Sequence, residues 1–219
     1  MQLIGWKKEK FSKSLIVLRH LKGEKMKTLI LNGEKLDGIS LDPISKNIRK
    51  ELKINGYEVE EILLKEKEIA DCLGCFKCWV KTPGICIIDD YGRETANKLI
   101  NSELLIFLTP VVFGSYSYQL KKALDRMIPL ISPYFKKVNG EIHHKKRYSK
   151  YPSLLALGIM EEYDRVQSKI FIELAKRNSI NFHSPYFEAE VFDAVDLDIK
   201  ALKNTVKTFS KKVGDQNDL

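Results

Sequence analysis

The chain has 219 residues, 44% of them hydrophobic and 30% charged, with a formal net charge of +8. These figures suit one ordinary globular domain, or one with an appendage, and exclude a disordered chain or a fibrous repeat. The excess base sits in residues 1–25 and 136–150 rather than along one phosphate-tracking face, which argues against a nucleic-acid partner, and no run approaches the ~18 to 20 apolar residues of a membrane span.

Residues 1–25 carry seven bases against Glu9 and Glu24, and their longest apolar run, 15–18, is too short for the core of a secretory signal. Lys22-Gly23-Glu24 can be encoded by a purine-rich ribosome-binding sequence just ahead of Met26. Translation is therefore expected to begin at Met26, and the intact mass of natively expressed protein checks this. The competing reading is a basic amphipathic segment lying on a membrane or a partner subunit.

From Met26 onward, strand-like runs alternate with helix-length segments, the pattern of βαβ units and a parallel sheet. The first strand is expected at 28–31. Ile44, Ile48 and Leu52 then recur at helical spacing up to the stop at Asn55-Gly56. Strands at 59–64, 104–109, 153–160 and 188–192 alternate with helices at about 92–101, 118–131, 163–178 and 197–213. The expected architecture is α/β: a three-layer, doubly wound domain over 26–219 with a parallel five-stranded sheet and a basic insertion at about 132–150. Such sheets place ligands at the carboxyl ends of their strands, where the strand order reverses. The loops after the first, third and fourth strands are thus the ones to question.

After the first strand, residues 32–40 enter a helix, the setting in which backbone N–H groups hold a phosphate. After the third, 109–117 runs Thr-Pro-Val-Val-Phe-Gly-Ser-Tyr-Ser, supplying a glycine for close backbone approach ahead of Leu120-Lys121-Lys122-Ala123-Leu124-Asp125-Arg126. Asp125 and Arg126 are expected to pin that helix through an ion pair.

The only four cysteines, Cys72, Cys75, Cys78 and Cys86, lie within fifteen residues and cannot staple a fold, which points to a cytoplasmic chain with a thiol or metal site. Gaps of two residues let thiolates converge on a 4Fe-4S core. Zinc usually takes two well-separated pairs, and the long gap before Cys86 also leaves room for plain or redox-labile thiols. Asp89-Asp90 reads as the cap of the helix beginning near Gly92 rather than an acid-base pair.

In the insertion, Asn139-Gly140 marks a hairpin turn. Neighbouring His143 and His144 cannot both face one metal. Lys146, Arg147, Tyr148 and Tyr151 are candidates to receive nucleotide phosphates or an acidic substrate; the alternative is a solvated arm against a second subunit.

The pattern Pro110-Val-x-Phe-Gly-Ser115-x-Ser-x-x-Leu-Lys-x-x-Leu-Asp-Arg126 resembles the flavodoxin-like NAD(P)H-dependent FMN reductases. Cys72-x2-Cys75-x2-Cys78-x7-Cys86 followed by Ile88-Asp89-Asp90 resembles the iron-sulfur flavoproteins among them. The resemblance covers roughly residues 26–190. It implies FMN at the carboxyl edge of the sheet, commonly in a homodimer, and a flavin that takes hydride from NAD(P)H and passes electrons to an acceptor. Asn32, Gly33, Gly38 and Ser40 would grip the FMN phosphate. Pro110, Val111, Val112, Phe113, Gly114 and Ser115 would border the ring system, and the four cysteines would hold a cluster. Glu34 and Leu36 stand where the family has Ser and Arg, and Val112 where it has Tyr. A carboxylate repels a phosphate, so Glu34 is expected either to point away or to weaken the site. Two other readings follow: electron transfer through flavin and cluster, and a binding module that has lost FMN.

Overall fold

The computed structural model describes residues 25–216. The leader, apart from Lys25, and with it the start-site question, lies outside the described residues. Five strands form one parallel sheet: β1 (Lys27–Asn32), β2 (Glu58–Leu63), β3 (Leu104–Pro110), β6 (Ser153–Met160) and β7 (Phe187–Asp193), in the order β2-β1-β3-β6-β7. The remaining pair, β4 (Ile131–Val138) and β5 (Glu141–Lys146), is an antiparallel hairpin.

Both faces of the sheet are covered, which is why its central strands read as unbroken apolar runs rather than as alternation. In β3, Leu105 and Phe107 point to one face and Leu104, Ile106 and Leu108 to the other. The first face meets α3 (Tyr91–Ile100), α4 (Tyr118–Asp125) and α5 (Arg165–Asn181) through Leu99, Leu120 and Phe171. The second meets α1 (Asp42–Ile54) and α6 (Ile199–Gln216) through Ile48, Leu52, Val206 and Phe209. This is the expected three-layer doubly wound architecture, with the crossover order of flavodoxin-type sheets.

The helix expected over 118–131 stops earlier. Pro129 has no N–H, and in a continuing helix its ring would collide with the carbonyl of Asp125, so the chain leaves α4 at Arg126, makes a 3-10 turn over Ile128–Leu130 and enters the hairpin. The turn of that hairpin is Asn139-Gly140, both in the left-handed region (φ 49° and 88°), as a two-residue connection requires. The short α2 (Lys77–Val80) lies in the long link between β2 and α3, which also carries all four cysteines.

Candidate functional site

β1 pairs with β2 on one side and with β3 on the other, so the strand order reverses here and the loops after β1 and β3 border the carboxyl-edge crevice in which such sheets place ligands. The first loop is tied to the third at one point. Gly33 N–H donates to Leu108 O (2.8 Å), and Ser117 Oγ donates back to Gly33 O (2.5 Å). A side chain has no room here, because a Cβ on Gly33 would lie 2.7 Å from Ser117 Oγ and 2.9 Å from the Leu120 Cβ. The glycine is needed for close packing of two loops.

The neighbours of Gly33 divide into inward and outward groups. Asn32 is buried and turned inside, its Nδ2 donating to Glu61 Oε1 (2.8 Å) and its Oδ1 accepting from Glu34 N–H (2.9 Å). Glu61 also accepts from Ser45 Oγ and Arg49 Nη1, so the Asn32 side chain shapes the loop from within. Gly38 and Ser40 are exposed, and Ser40 Oγ accepts from Asp42 N–H at the start of α1. Glu34 is turned inward. It is buried, Oε2 accepts from Leu41 N–H (2.8 Å), and Oε1 sits 2.6 Å from Lys65 Nζ, whose charge this hydrogen bond stabilises.

In the third loop, Val111 N–H donates to Ile159 O, which fastens the loop to β6. Val112 and Ser115 then exchange two backbone hydrogen bonds across a tight turn with Phe113 and Gly114 at its tip. Both tip residues have positive φ, 50° and 73°. Glycine takes this conformation freely; a phenylalanine there is strained. Gly114 is also hemmed in, since a Cβ would lie 2.8 Å from Ile170 on α5, and its N–H donates to Gln167 Oε1. The result is a Phe113 side chain 90% exposed at the carboxyl edge. Leu36, on the first loop, is 69% exposed.

The cysteine segment is built differently. Gly74 and Phe76 have positive φ (61° and 52°) and turn the chain between successive cysteines. All four thiols are free; Cys72 and Cys75 are exposed, Cys86 is half-buried and Cys78 is buried. Burial, and behind it the thiols of Cys86, Cys72 and Cys75, pushes the Cys78 thiol above its usual range. Among the described residues no group of three or more His, Cys, Asp or Glu side chains is placed to hold a metal ion.

Arg126 clamps this segment at both ends. Its side chain is fully buried, with Nη1 donating to Ala70 O and Asp90 Oδ2 (both 2.7 Å) and Nη2 to Asp90 Oδ1 (2.8 Å) and Ile88 O (3.2 Å). Asp90 at the same time accepts from Gly92 N–H, capping α3 as expected, and from Ala70 N–H. Arg126 and Asp125 both enter ion pairs, as expected, each with a different partner: Arg126 with Asp90, and Asp125 with Lys121 one turn back. Arg126 Nε is buried, and the thiol of Cys86 is near enough to favour the guanidinium charge.

The basic hairpin leaves from the end of α4 and feeds the start of β6, so its base belongs to the amino side of the sheet. Within one chain it does not border the crevice. Lys146, Tyr148 and Tyr151 instead line a groove of about 1940 Å³ that also touches Cys86, Arg126 and the amino ends of β1, β2 and β6.

Comparison with known proteins fits this geometry. A family model described as NADPH-dependent FMN reductase matches residues 26–148. An iron-sulfur flavoprotein of Archaeoglobus fulgidus is 35% identical over 80 residues, covering 36% of this chain and 36% of that protein. One of Methanocaldococcus jannaschii is 41% identical over 75 residues (34% and 38%), and one of Methanosarcina thermophila 29% over 105 (48% and 54%). The chain thus spans only about a third to a half of the length of these relatives. Among solved structures, an FMN-dependent NADH-azoreductase from Bacillus anthracis, in complex with FMN, superposes with a TM-score of 0.59 at 13% identity, over 88% of this chain and 100% of that one. An NAD(P)H:quinone oxidoreductase from Methanothermobacter marburgensis gives 0.59 at 10% identity (87% and 96%). At such identity these two speak for the fold, which is flavodoxin-like. With the family model spanning more than half of it, the chain belongs to the NADPH-dependent FMN reductase family.

Proposed function

We propose that the chain is an NAD(P)H-dependent flavin oxidoreductase that passes electrons to a separate acceptor, with the flavin ring against Pro110, Val111, Val112, Phe113, Gly114 and Ser115. The observation that carries this is Phe113: a backbone held in the left-handed region keeps an aromatic ring out of the core and in the open at the carboxyl edge. Such an arrangement costs free energy without a planar partner. Flavin bound there supplies the redox chemistry, accepting hydride and releasing electrons. The protein orients and shields it: Val112 and Ser115 fix the turn, Gln167 holds the Gly114 N–H, and Gly33 keeps the first loop against the third. No side chain is needed as acid or base. A second copy of the chain closing the open side of Phe113 belongs to this reading.

The test is flavin binding followed by quenching of flavin fluorescence, together with flavin-dependent oxidation of NADH or NADPH. Phe113→Ala is expected to weaken flavin affinity about tenfold, the worth of one stacked ring, while leaving the fold intact. Unchanged affinity would remove Phe113 from the site.

A second reading adds electron transfer through a cluster on Cys72, Cys75, Cys78 and Cys86. Four free thiols on one segment, with Cys78 turned inward and the Arg126 charge beside Cys86, favour it. The side chains as folded do not form a metal-holding set. Anaerobically purified protein from cells with intact cluster assembly should contain about four irons and as many acid-labile sulfides per chain. Iron-free protein from such cells ends this reading and leaves the flavin function untouched.

A further inference from the structure

The head of α1 already holds an anion. Glu34 is 8% exposed, and its carboxylate takes the Leu41 N–H and the Lys65 ammonium. Beside it, Glu34 N–H goes to Asn32 Oδ1, Asp42 N–H to Ser40 Oγ, and Pro43, in the first turn, has none to give. A phosphate at this place would need what Glu34 holds, namely backbone N–H at a helix start, the positive end of the helix dipole and a cation. A phosphate brought beside the Glu34 carboxylate is repelled by it, since like charges a few ångström apart oppose each other.

This inference rests on the flavin reading above. We propose that Glu34 is a built-in substitute for the flavin phosphate, so that the crevice selects flavin without a terminal phosphate, riboflavin, over FMN. FMN has to dislodge Glu34 from both partners before its phosphate can settle. Riboflavin ends in a neutral hydroxyl and leaves the Glu34–Lys65 pair standing. The ring end is independent of this choice, since Phe113 and its turn belong to the other loop. Leu36 stands in the position where the family carries Arg and brings no charge; the loop's own cation is Lys35, whose Nζ lies 3.8 Å from where a Cβ on Gly38 would be.

The full chain, Glu34→Gln and Glu34→Ser are each titrated with riboflavin and with FMN by quenching of flavin fluorescence. The unsubstituted chain should bind riboflavin at least about tenfold more tightly than FMN, the ratio that a modest unfavourable charge pair produces. Glu34→Gln keeps an oxygen for Leu41 N–H but removes the charge, and should close most of that gap. Glu34→Ser also frees Lys65, and should bring FMN level with riboflavin or beyond it; adding Lys65→Gln should then weaken FMN alone. An unsubstituted chain that binds FMN as tightly as riboflavin overturns the proposal, as do well-folded variants with an unmoved ratio. Either result leaves the flavin function standing. If neither flavin binds any of the three proteins, the flavin function itself falls, and the proposal with it.

Discussion

Arg126→Met should lower the stability of the fold by about 3–5 kcal/mol, the range seen when one member of a buried ion pair is removed. The guanidinium is fully buried, makes a two-toothed contact with Asp90 and serves two backbone carbonyls besides. Methionine fills much of the volume, but it leaves the Asp90 carboxylate, only 14% exposed, without its cation, and strands the carbonyls of Ala70 and Ile88. For a domain of this size that loss is a fall in Tm of roughly 10 °C. Because Ala70 and Ile88 flank the cysteine segment, limited proteolysis should also cut between them much faster in the variant. Asp90→Asn added to Arg126→Met should recover part of the stability, since no uncompensated charge then stays behind. A single variant melting within about 2 °C of the parent would show that the clamp is not what holds this segment.

Gly33→Val should abolish flavin binding. A Cβ at this position would sit 2.7 Å from Ser117 Oγ, 2.9 Å from the Leu120 Cβ and 3.1 Å from Thr109 Oγ1, and valine adds two methyl groups beyond it. Leu120 is a core residue on α4 and cannot retreat, so the first loop must lift away from the third. That breaks Gly33 N–H to Leu108 O and Ser117 Oγ to Gly33 O together. Overpacking of this kind costs about 1–3 kcal/mol, which a domain of this size survives. The crevice loses its floor while the sheet persists. The expected readings are native-like circular dichroism, a Tm lower by several degrees, and no quenching of flavin fluorescence; retained binding would place the flavin elsewhere.

The sheet was legible because its strands are buried on both faces, so 104–109 and 153–160 stand out as unbroken apolar runs. Asn139-Gly140 announced the hairpin for an equally local reason, the need for two left-handed residues. Glu34 was not legible. A glutamate in a polar loop reads as solvent-facing, and what buries it is Lys65, thirty-one positions away, and a backbone N–H with no sequence mark. The structural role of Arg126 was readable but its partner was not, since adjacent residues on a helix do not face each other and Asp90 lies thirty-six positions upstream. Phe113 was recognised as a site residue by pattern, but its left-handed backbone was not foreseeable, because phenylalanine ordinarily favours a strand.

Trp79, in the helical turn just after Cys78, shares its indole N–H between the carbonyls of Ile128 and Ile131 at the root of the hairpin. Its ring is stacked on Phe76 and leans on His144, which in turn meets Phe135. One side chain thus rivets the thiol segment to the basic arm. In hydrogen exchange the two should open as a single cooperative unit, with the amides of 77–80 and of the hairpin sharing one opening free energy. Whatever docks on the arm from outside therefore has mechanical access to the cysteines.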